Sequence, residues 1–423
     1  MEEKLSSPTS QDSDLIYPES EKEVSDLIKK FYKSNIPIEI IGLGSKRNIG
    51  KPLQCAKTLS LFKLNGIIEY LPEELYIKVK AGTRMSEIED ILEKNKQQLA
   101  FEPIDFGYLF LGKSNYGSAA GQIACNISGP RRFKVGSARD HVLGFRAVNG
   151  RGEIIKSGGT VVKNVTGYDL SKLICSSYGT LAALTEITFK VLPAAEESKT
   201  LVIHNLSIDN APEYLDKAIS SSADVSGAVF LPIHPICNDC EMSVEKTFKL
   251  NDLKNLGSLT ALRIEGTKKS VNERLESLNF FLNVDEKNTS ALDTFQSKIF
   301  WKKIKNLELF SATKNNIFRI VIPPSECTKL IYELPNKFKY FVDWGGALIW
   351  MEACELSEGK FNSIRKKVLK HNGYISMIKY SDYLPYVEDV FTINNARFNI
   401  SQDIKKSFDP KRILNPGKMY TGI

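Results

Sequence analysis

Apolar residues recur along this chain at two periods, and the alternation between them lays out its elements. Residues 1–16 are polar and serine-rich, which reads as a loose arm. Ser20 and Glu23 then stand at the spacing of a capping box, and Val24, Leu27, Ile28 and Phe31 follow on one helical face. Pro37–Ile41 is short and isoleucine-rich, as a buried strand should be, and runs straight into Gly42-Leu43-Gly44-Ser45-Lys46. Ile67–Leu71 and Tyr76–Ala81 read as strands, and Ser86 with Glu89 as a second capping box opening a helix with Ile88, Ile91 and Leu92 inward. Phe145–Val148 and Glu153–Lys156 flank Asn149-Gly150-Arg151-Gly152, a hairpin signal. Asp169 is placed to cap a short helix reaching about Ser177, and Thr185–Leu192 alternates like a half-buried strand.

From 112 to 140 neither period holds. Gly, Ser, Ala and Asn crowd this stretch, with eighteen residues from Lys113 to Pro130 rich in small side chains. Such a run suits a backbone lying along an extended ligand, and suits a glycine-rich surface loop equally. Pro193-Ala-Ala-Glu-Glu-Ser-Lys199 is the best linker. Beyond it, strand-like runs (Gly227–Leu231, Phe318–Ile322, Ala347–Met351) mix with amphipathic helices near 268–282 and 355–371. The expected division is an arm over 1–16, a first domain over 17–195, an α+β domain over 196–400 and a C-terminal segment over 401–423.

Composition narrows the class. The 423 residues are 42% apolar and 25% charged, in the globular range and long enough for two or three compact units. A net charge of +7 is spread among 50 acidic residues, too mild for a nucleic-acid partner. Seven cysteines, odd in number and mostly dispersed, point to reduced thiols and a cytoplasmic setting. No segment is apolar for long enough to span a bilayer, so contact with an inner membrane is expected only through partners. Cys237-Asn-Asp-Cys240 has half the ligands of a zinc site and no second pair, so no metal is expected.

The Gly42–Lys46 turn after a strand can present backbone amides to an anion, with Ser45 adding a donor; a plain turn has the same signature. The resemblance is more specific. Gly117-Ser-Ala-Ala-Gly-Gln, Ser128-Gly-Pro-Arg-Arg, Gly136-Ser-Ala-Arg-Asp-His-Val-Leu-Gly, Lys163-Asn-Val-Thr-Gly-Tyr-Asp-Leu and Ser177-Tyr-Gly-Thr-Leu-Ala-Ala-Leu-Thr-Glu-Ile resemble the FAD-binding domain of the vanillyl-alcohol-oxidase/p-cresol-methylhydroxylase (PCMH) superfamily. Within it, Gly129–Pro193, Asp343-Trp-Gly-Gly-Ala347 and the terminal Leu414-Asn-Pro-Gly-Lys-Met-Tyr420 are most similar to the FAD-binding E subunits of bacterial glycolate oxidases.

That resemblance implies an α+β fold: a PCMH-type FAD-binding domain of two α+β pieces, an α+β cap domain, and a tail returning to the FAD domain. It implies Gly42, Gly44 and Ser45 on the pyrophosphate, with Lys46 and Gly179 beside the cofactor. Gly117, Ser118, Gly121, Ser128 and Gly129 are implied along the FAD phosphates and the flavin edge, and Thr185 and Ile187 at adenine or ribose through their backbone. Leu43 replaces the family's usual third glycine and Ile41 its basic residue, which weakens the assignment of pyrophosphate contacts. Relatives that bind FAD covalently carry a histidine where Lys46 stands, so non-covalent FAD is expected.

Of the four histidines, His141 reads as structural and His234 as a loop residue, and the histidine-rich cap segment of self-sufficient hydroxyacid dehydrogenases is missing. Arg263, Arg319 and Arg397 are each able to take a carboxylate. The expected role is therefore a flavin subunit oxidising a small 2-hydroxyacid beside a catalytic flavin subunit and an iron–sulfur subunit, with no catalytic residue assigned. A self-sufficient FAD-linked dehydrogenase and a scaffold with a degenerate flavin fold are the alternatives.

Overall fold

The computed structural model describes residues 14–160, 168–232, 257–311, 313–335, 338–354, 356–380 and 390–423. The first half builds two sheets. β1 (Leu15–Ile16), β2 (Ile38–Ile41) and β3 (Lys57–Ser60) form a parallel sheet in the order β1-β3-β2. β4 (Ile67–Leu71), β5 (Tyr76–Lys80), β7 (Val142–Asn149), β8 (Ile154–Gly158) and β9 (Ala182–Lys190) form an antiparallel sheet in the order β4-β5-β9-β7-β8. The hairpin at Asn149–Gly152 joins β7 to β8 as its turn residues require.

Helix α1 (Glu21–Ser34) buries Val24, Ile28 and Phe31, the face its spacing marks. Ser20 accepts from Glu23 N, but the Glu23 carboxylate reaches Glu19 N rather than Ser20 N, so only half of the expected box forms. The arm is shorter than expected: Leu15 and Ile16 pair with Thr58 and Leu59, and Asp14 meets Lys57 at 2.6 Å. Residues 1–13 lie outside the described residues.

The second capping box does not form. Helix α2 (Met85–Lys94) starts a residue before Ser86, and Arg84 is its N-cap with no side-chain bond. Arg84 bridges Ser118 and Met85 N donates to Gly117 O at 2.9 Å, so pairing with a distant loop decides where the helix begins. Strand β6 (Gln97–Gln98) pairs with β10 (Leu192–Pro193).

The stretch over 112–140, which showed no period, also holds helices. After α3 (Gly107–Leu111) come α4 (Ala119–Cys125) and α5 (Arg132–Val135). Ser118 caps α4 by accepting from Gly121 N, and Gln122 Nε2 donates to Ile127 O at 2.6 Å where the helix ends. Asp169 caps α6 (Leu170–Ile174) by accepting from Lys172 N; the helix stops three residues before Ser177.

The second half is one eight-stranded antiparallel sheet in the order β14-β11-β13-β12-β16-β17-β15-β18. Its strands are β11 (Glu197–His204), β12 (Gly227–Leu231), β13 (Leu259–Gly266), β14 (Thr289–Leu292), β15 (Asn316–Val321), β16 (Lys339–Asp343), β17 (Leu348–Ala353) and β18 (Tyr374–Lys379). Helices α7 (Ala211–Ser220), α8 (Lys268–Leu282), α9 (Thr294–Lys305), α10 (Cys327–Glu333) and α11 (Glu358–Lys370) accompany it. The expected linker is tighter than its composition suggests, since Leu192–Pro193 is a strand and β11 opens at Glu197. Helix α12 (Asn395–Phe408) then carries the chain back, and Ile413 and Leu414 enter the core of the first half.

Candidate functional site

Strand β2 delivers its last residues to a solvent-open cleft. Its lining comes chiefly from the end of β2 and the loop after it (Glu39–Arg47), from Ser118–Cys125 at α4, from Ser177–Gly179 with Ala182 and Leu184 of β9, and from Asn415 and Lys418 of the tail, with Leu61 completing it. Of the residues singled out from sequence, Gly42, Gly44, Ser45, Lys46, Ser118, Gly121 and Gly179 meet here.

Close backbone approach explains the glycines. A Cβ on Gly42 would stand 2.1 Å from Ser118 Oγ, so only glycine lets the first loop rest on the start of α4. Gly44 has φ +83°, and a Cβ there would meet nothing within 4 Å; its methyl would project into space that a ligand backbone or phosphate can occupy. The third wall is unusual. Ser176, Tyr178 and Gly179 all have positive φ (69°, 51° and 73°), a conformation that costs a non-glycine residue roughly 1 kcal/mol or more and persists where the surroundings impose it. Tyr178 N donates to Ala124 O at 2.9 Å, and Tyr178 O accepts from Asn415 Nδ2 at 2.7 Å.

Two lysines charge the cleft. Lys46 is 8% exposed, and its Nζ has no hydrogen-bond partner. Burial pushes its pKa down, against the opposing pull of Cys125 and Asp105. Lys418 is also buried, and burial lowers it to about 8 despite Glu39; its Nζ donates to Arg47 O at 2.6 Å. Arg47 is itself paired with Glu39 through Nε–Oε1 at 3.0 Å. A buried ammonium with no acceptor is costly, and its presence in a cleft of exposed backbone fits a bound anion. The residues present therefore fit the diphosphate of FAD: amides and a hydroxyl at Gly42–Ser45, and Lys46 as counter-charge.

Other expected contacts fall elsewhere. Gly117 lies behind Lys46, its would-be Cβ 3.8 Å from Lys46 Nζ. Ser128 Oγ accepts from Ala138 N at 2.8 Å within the first half, while Gly129 O accepts from Trp344 Nε1 at 3.0 Å and so meets the second half; neither lines the cleft. Thr185 and Ile187, expected at adenine or ribose, are not among the residues lining this cleft. Both sit in β9, between β5 and β7: Ile187 pairs with Val79 and Phe145, while Thr185 falls at the register shift opposite β7. Thr185 O accepts from Ala81 N, its Oγ1 donates to Glu21, and Ile187 is fully buried; Ala182 and Leu184 of the same strand reach the cleft instead.

The residues missed from sequence are Asn415, Lys418 and Tyr178. The Leu414–Tyr420 resemblance was the available signal for the first two, but placing them against β2 needs the fold. Lys405 Nζ, fully buried, fixes the tail by donating to Thr180 O (2.6 Å), Asp409 Oδ2 (2.8 Å) and Leu414 O (2.8 Å).

Above the cleft, Tyr178 packs on Phe391 with ring centroids 5.1 Å apart. Arg319 of β15 lies 5.1 Å over the Trp344 ring, its Nε buried without a partner, and burial pushes it down to about 10 even with Tyr178 nearby. The other two candidate arginines are committed elsewhere. Arg263 pairs with Glu102 at 2.8 Å, and Arg397 lies at the surface, 5.5 Å over Tyr374. His141 Nε2 meets Val135 O at 3.0 Å, a structural placement. His234, Cys237 and Cys240 lie outside the described residues. Among the described residues no cluster of metal-ligating side chains occurs, and no helix is long and apolar enough to cross a membrane.

Comparisons with known proteins agree with this geometry. The family described as FAD binding domain matches residues 14–158. Glycolate oxidase subunit GlcE of Escherichia coli K12 is 31% identical over 92% of this chain and 93% of its own length. A D-lactate dehydrogenase of Anaerostipes hadrus is 24% identical over 96% of this chain and 89% of its own. Glycolate oxidase subunit GlcD of Bacillus subtilis is 24% identical over 96% of this chain and 88% of its own. Among solved structures, p-cresol methylhydroxylase superposes with a TM-score of 0.68 at 14% identity, covering 96% of this chain and 88% of that one. Alkyldihydroxyacetonephosphate synthase gives 0.69 at 17%, over 95% and 75%. The architecture is thus the α+β, PCMH-type flavoprotein fold, and the chain belongs to the family of the glycolate oxidase subunit GlcE.

Proposed function

We propose that this chain is the FAD-binding subunit of an oxidoreductase complex that oxidises a small 2-hydroxyacid of the glycolate type. It works beside a catalytic flavin subunit and an iron–sulfur subunit, and meets any membrane through them. The observation that carries this reading is Lys46, a buried ammonium without an acceptor in a cleft walled by glycine backbone. FAD bound there supplies a two-electron acceptor for the hydroxyacid.

This chain's residues bind and orient. Backbone at Gly42–Ser45 receives the diphosphate, Lys46 balances its charge, and Asn415 and Lys418 close the far wall. Arg319 is suited to a substrate carboxylate, because its Nε is buried without a partner and Tyr178, which lines the cleft, is its ionisable neighbour. No histidine lines the cleft among the described residues, so a base for the hydroxyl proton is not assigned to this chain. That favours catalysis shared with a sibling subunit.

Co-expression with the sibling flavin subunit and the iron–sulfur subunit tests the proposal. The assembled complex reduces a dye with glycolate, while the isolated chain does not. Turnover by the isolated chain would replace shared catalysis with a self-sufficient dehydrogenase. Within the complex, Arg319→Gln raises KM for the hydroxyacid by about tenfold or more, as expected for the loss of a charged hydrogen bond.

A further inference from the structure

Lys46 is buried, and no acceptor within the protein reaches its Nζ. The nearest carboxylate, Asp105, is engaged by backbone: Oδ1 accepts from Gly107 N at 2.9 Å and Oδ2 from Asn115 N. Cys125, at the end of α4, is a buried thiol pushed up to about 11 by burial, and so is neutral at physiological pH. Phe106 offers only its ring, 5.8 Å from Nζ, and Met85 and Gly117 complete the surroundings without charge. The second amine of the cleft, Lys418, is differently placed, with the Arg47 carbonyl as acceptor and Glu39, Arg47, Cys55 and Cys125 as ionisable neighbours.

We propose that Lys46 makes loading of the cofactor a proton-coupled step: its buried Nζ has no acceptor within the protein, so the charged amine is disfavoured until the arriving diphosphate supplies one and draws a proton onto it. The inference rests on the reading of the cleft as an FAD site, and goes beyond it by making affinity depend on pH through one side chain. The balance is simple. Solvent supplies one proton to the Lys46 amine and the diphosphate supplies the counter-charge, with no covalent bond changed. Burial lowers the pKa of Lys46 in the free protein, and an anion beside it raises it again. Between the two values binding takes up a proton, so affinity falls as pH rises, by at most about tenfold per pH unit.

The same arrangement implies a reversal in stability. The free protein must bury an unpaired ammonium or neutralise it, so replacing Lys46 by an apolar residue of similar length relieves the free protein and penalises the complex.

The experiment is calorimetric titration of the flavin-free full chain with FAD, in phosphate and in Tris, from pH 7.5 to 9.5. The two buffers differ in ionisation enthalpy, so the difference in apparent binding heat counts protons. The expected result is net uptake of up to one proton within this range. Lys46→Arg, which keeps its charge, binds FAD with the uptake largely removed. Lys46→Met binds at least about tenfold more weakly, also without uptake, and its flavin-free form melts no lower than wild type, which shows that it folds. Three results would overturn the inference while leaving the FAD site intact: binding by wild type with no proton uptake, uptake undiminished in Lys46→Arg (assigning the proton to Lys418 or elsewhere), or wild-type affinity in Lys46→Met. Failure of wild type to bind FAD at all would overturn both this inference and the reading beneath it.

Discussion

Asn415 closes the edge of the cofactor cleft with Ile40, 375 residues earlier in the chain: its Oδ1 accepts from Ile40 N at 2.6 Å, while its Nδ2 reaches Ile40 O at 3.3 Å. The same Nδ2 donates to Tyr178 O at 2.7 Å, and Asn415 N donates to Ile38 O at 3.0 Å. One side chain thereby holds the strand that delivers the first loop and the strained turn that forms the opposite wall. Asn415→Ala leaves the Ile40 amide and the Tyr178 carbonyl without these partners. The expected cost is about 1–3 kcal/mol, with weaker FAD retention, read by thermal melting and by flavin fluorescence in the filtrate after ultrafiltration.

Gly44 separates binding from folding. Its φ of +83° makes alanine strained by about 1–2 kcal/mol, while the added methyl meets no protein atom within 4 Å. Gly44→Ala is therefore expected to fold with a modestly lower melting point and to lose FAD affinity by a larger factor than its stability loss explains. Gly42→Ala differs, because its methyl meets Ser118 Oγ at 2.1 Å. That substitution pushes the loop off α4 and lowers stability and binding together. Parallel melts and FAD titrations of both variants distinguish the two patterns.

The two halves meet through buried charge. Glu102 pairs with Arg263 at 2.8 Å across the junction, and Arg131 contacts Glu102 at 3.6 Å and Glu265 at 2.5 Å. Burial alone would raise both glutamates, but Arg263 and Arg131 outweigh it and hold them below the usual carboxylate range. Their contribution is fully present above the unfolded value near pH 4.3 and is lost as pH falls through the lower folded values. Glu102→Gln leaves buried guanidinium charge underpaired, an expected loss of about 3–5 kcal/mol at pH 7, measured by urea denaturation.

Asp343 has the opposite sign. Burial raises it to about 7, against the Trp344 amide that donates to it at 2.7 Å, and Glu102 nearby adds to the rise. The folded protein favours the protonated acid, so stability declines as pH rises from about 4 to about 7 and is level above. Asp343→Asn keeps the oxygen that accepts from Trp344 and removes the titration. The variant is expected to be more stable by about 2–4 kcal/mol at pH 8, with the decline between pH 4 and 7 flattened in urea-melt series.

Local chemistry made much of this legible. The isoleucine run into Gly42–Lys46, the hairpin at Asn149–Gly152 and the Asp169 cap all depend on neighbours in sequence, and each stands where the pattern put it. Helix α4 escaped notice because Ala119-Ala-Gly-Gln carries no apolar stripe; the Ser118 cap and the packing of Gly42 hold it instead. The box expected at Ser86 gave way to a contact between Met85 and Gly117 that no local rule contains. Thr185 and Ile187 rest on resemblance alone; Ile187 is paired on both sides within the sheet, and neither residue lines the cleft. Lys418 and Asn415 reach the cleft only after the chain has passed through the second sheet. Their role depends on tertiary closure rather than spacing.

The most direct test of the central claim is the flavin content of the purified chain. Absorbance from 300 to 550 nm, followed by acid precipitation and quantification of the released flavin, is expected to give one FAD per chain, all in the supernatant. A chain purified without flavin that takes up none when FAD is supplied would contradict the account, and yellow colour retained in the precipitate would contradict non-covalent binding.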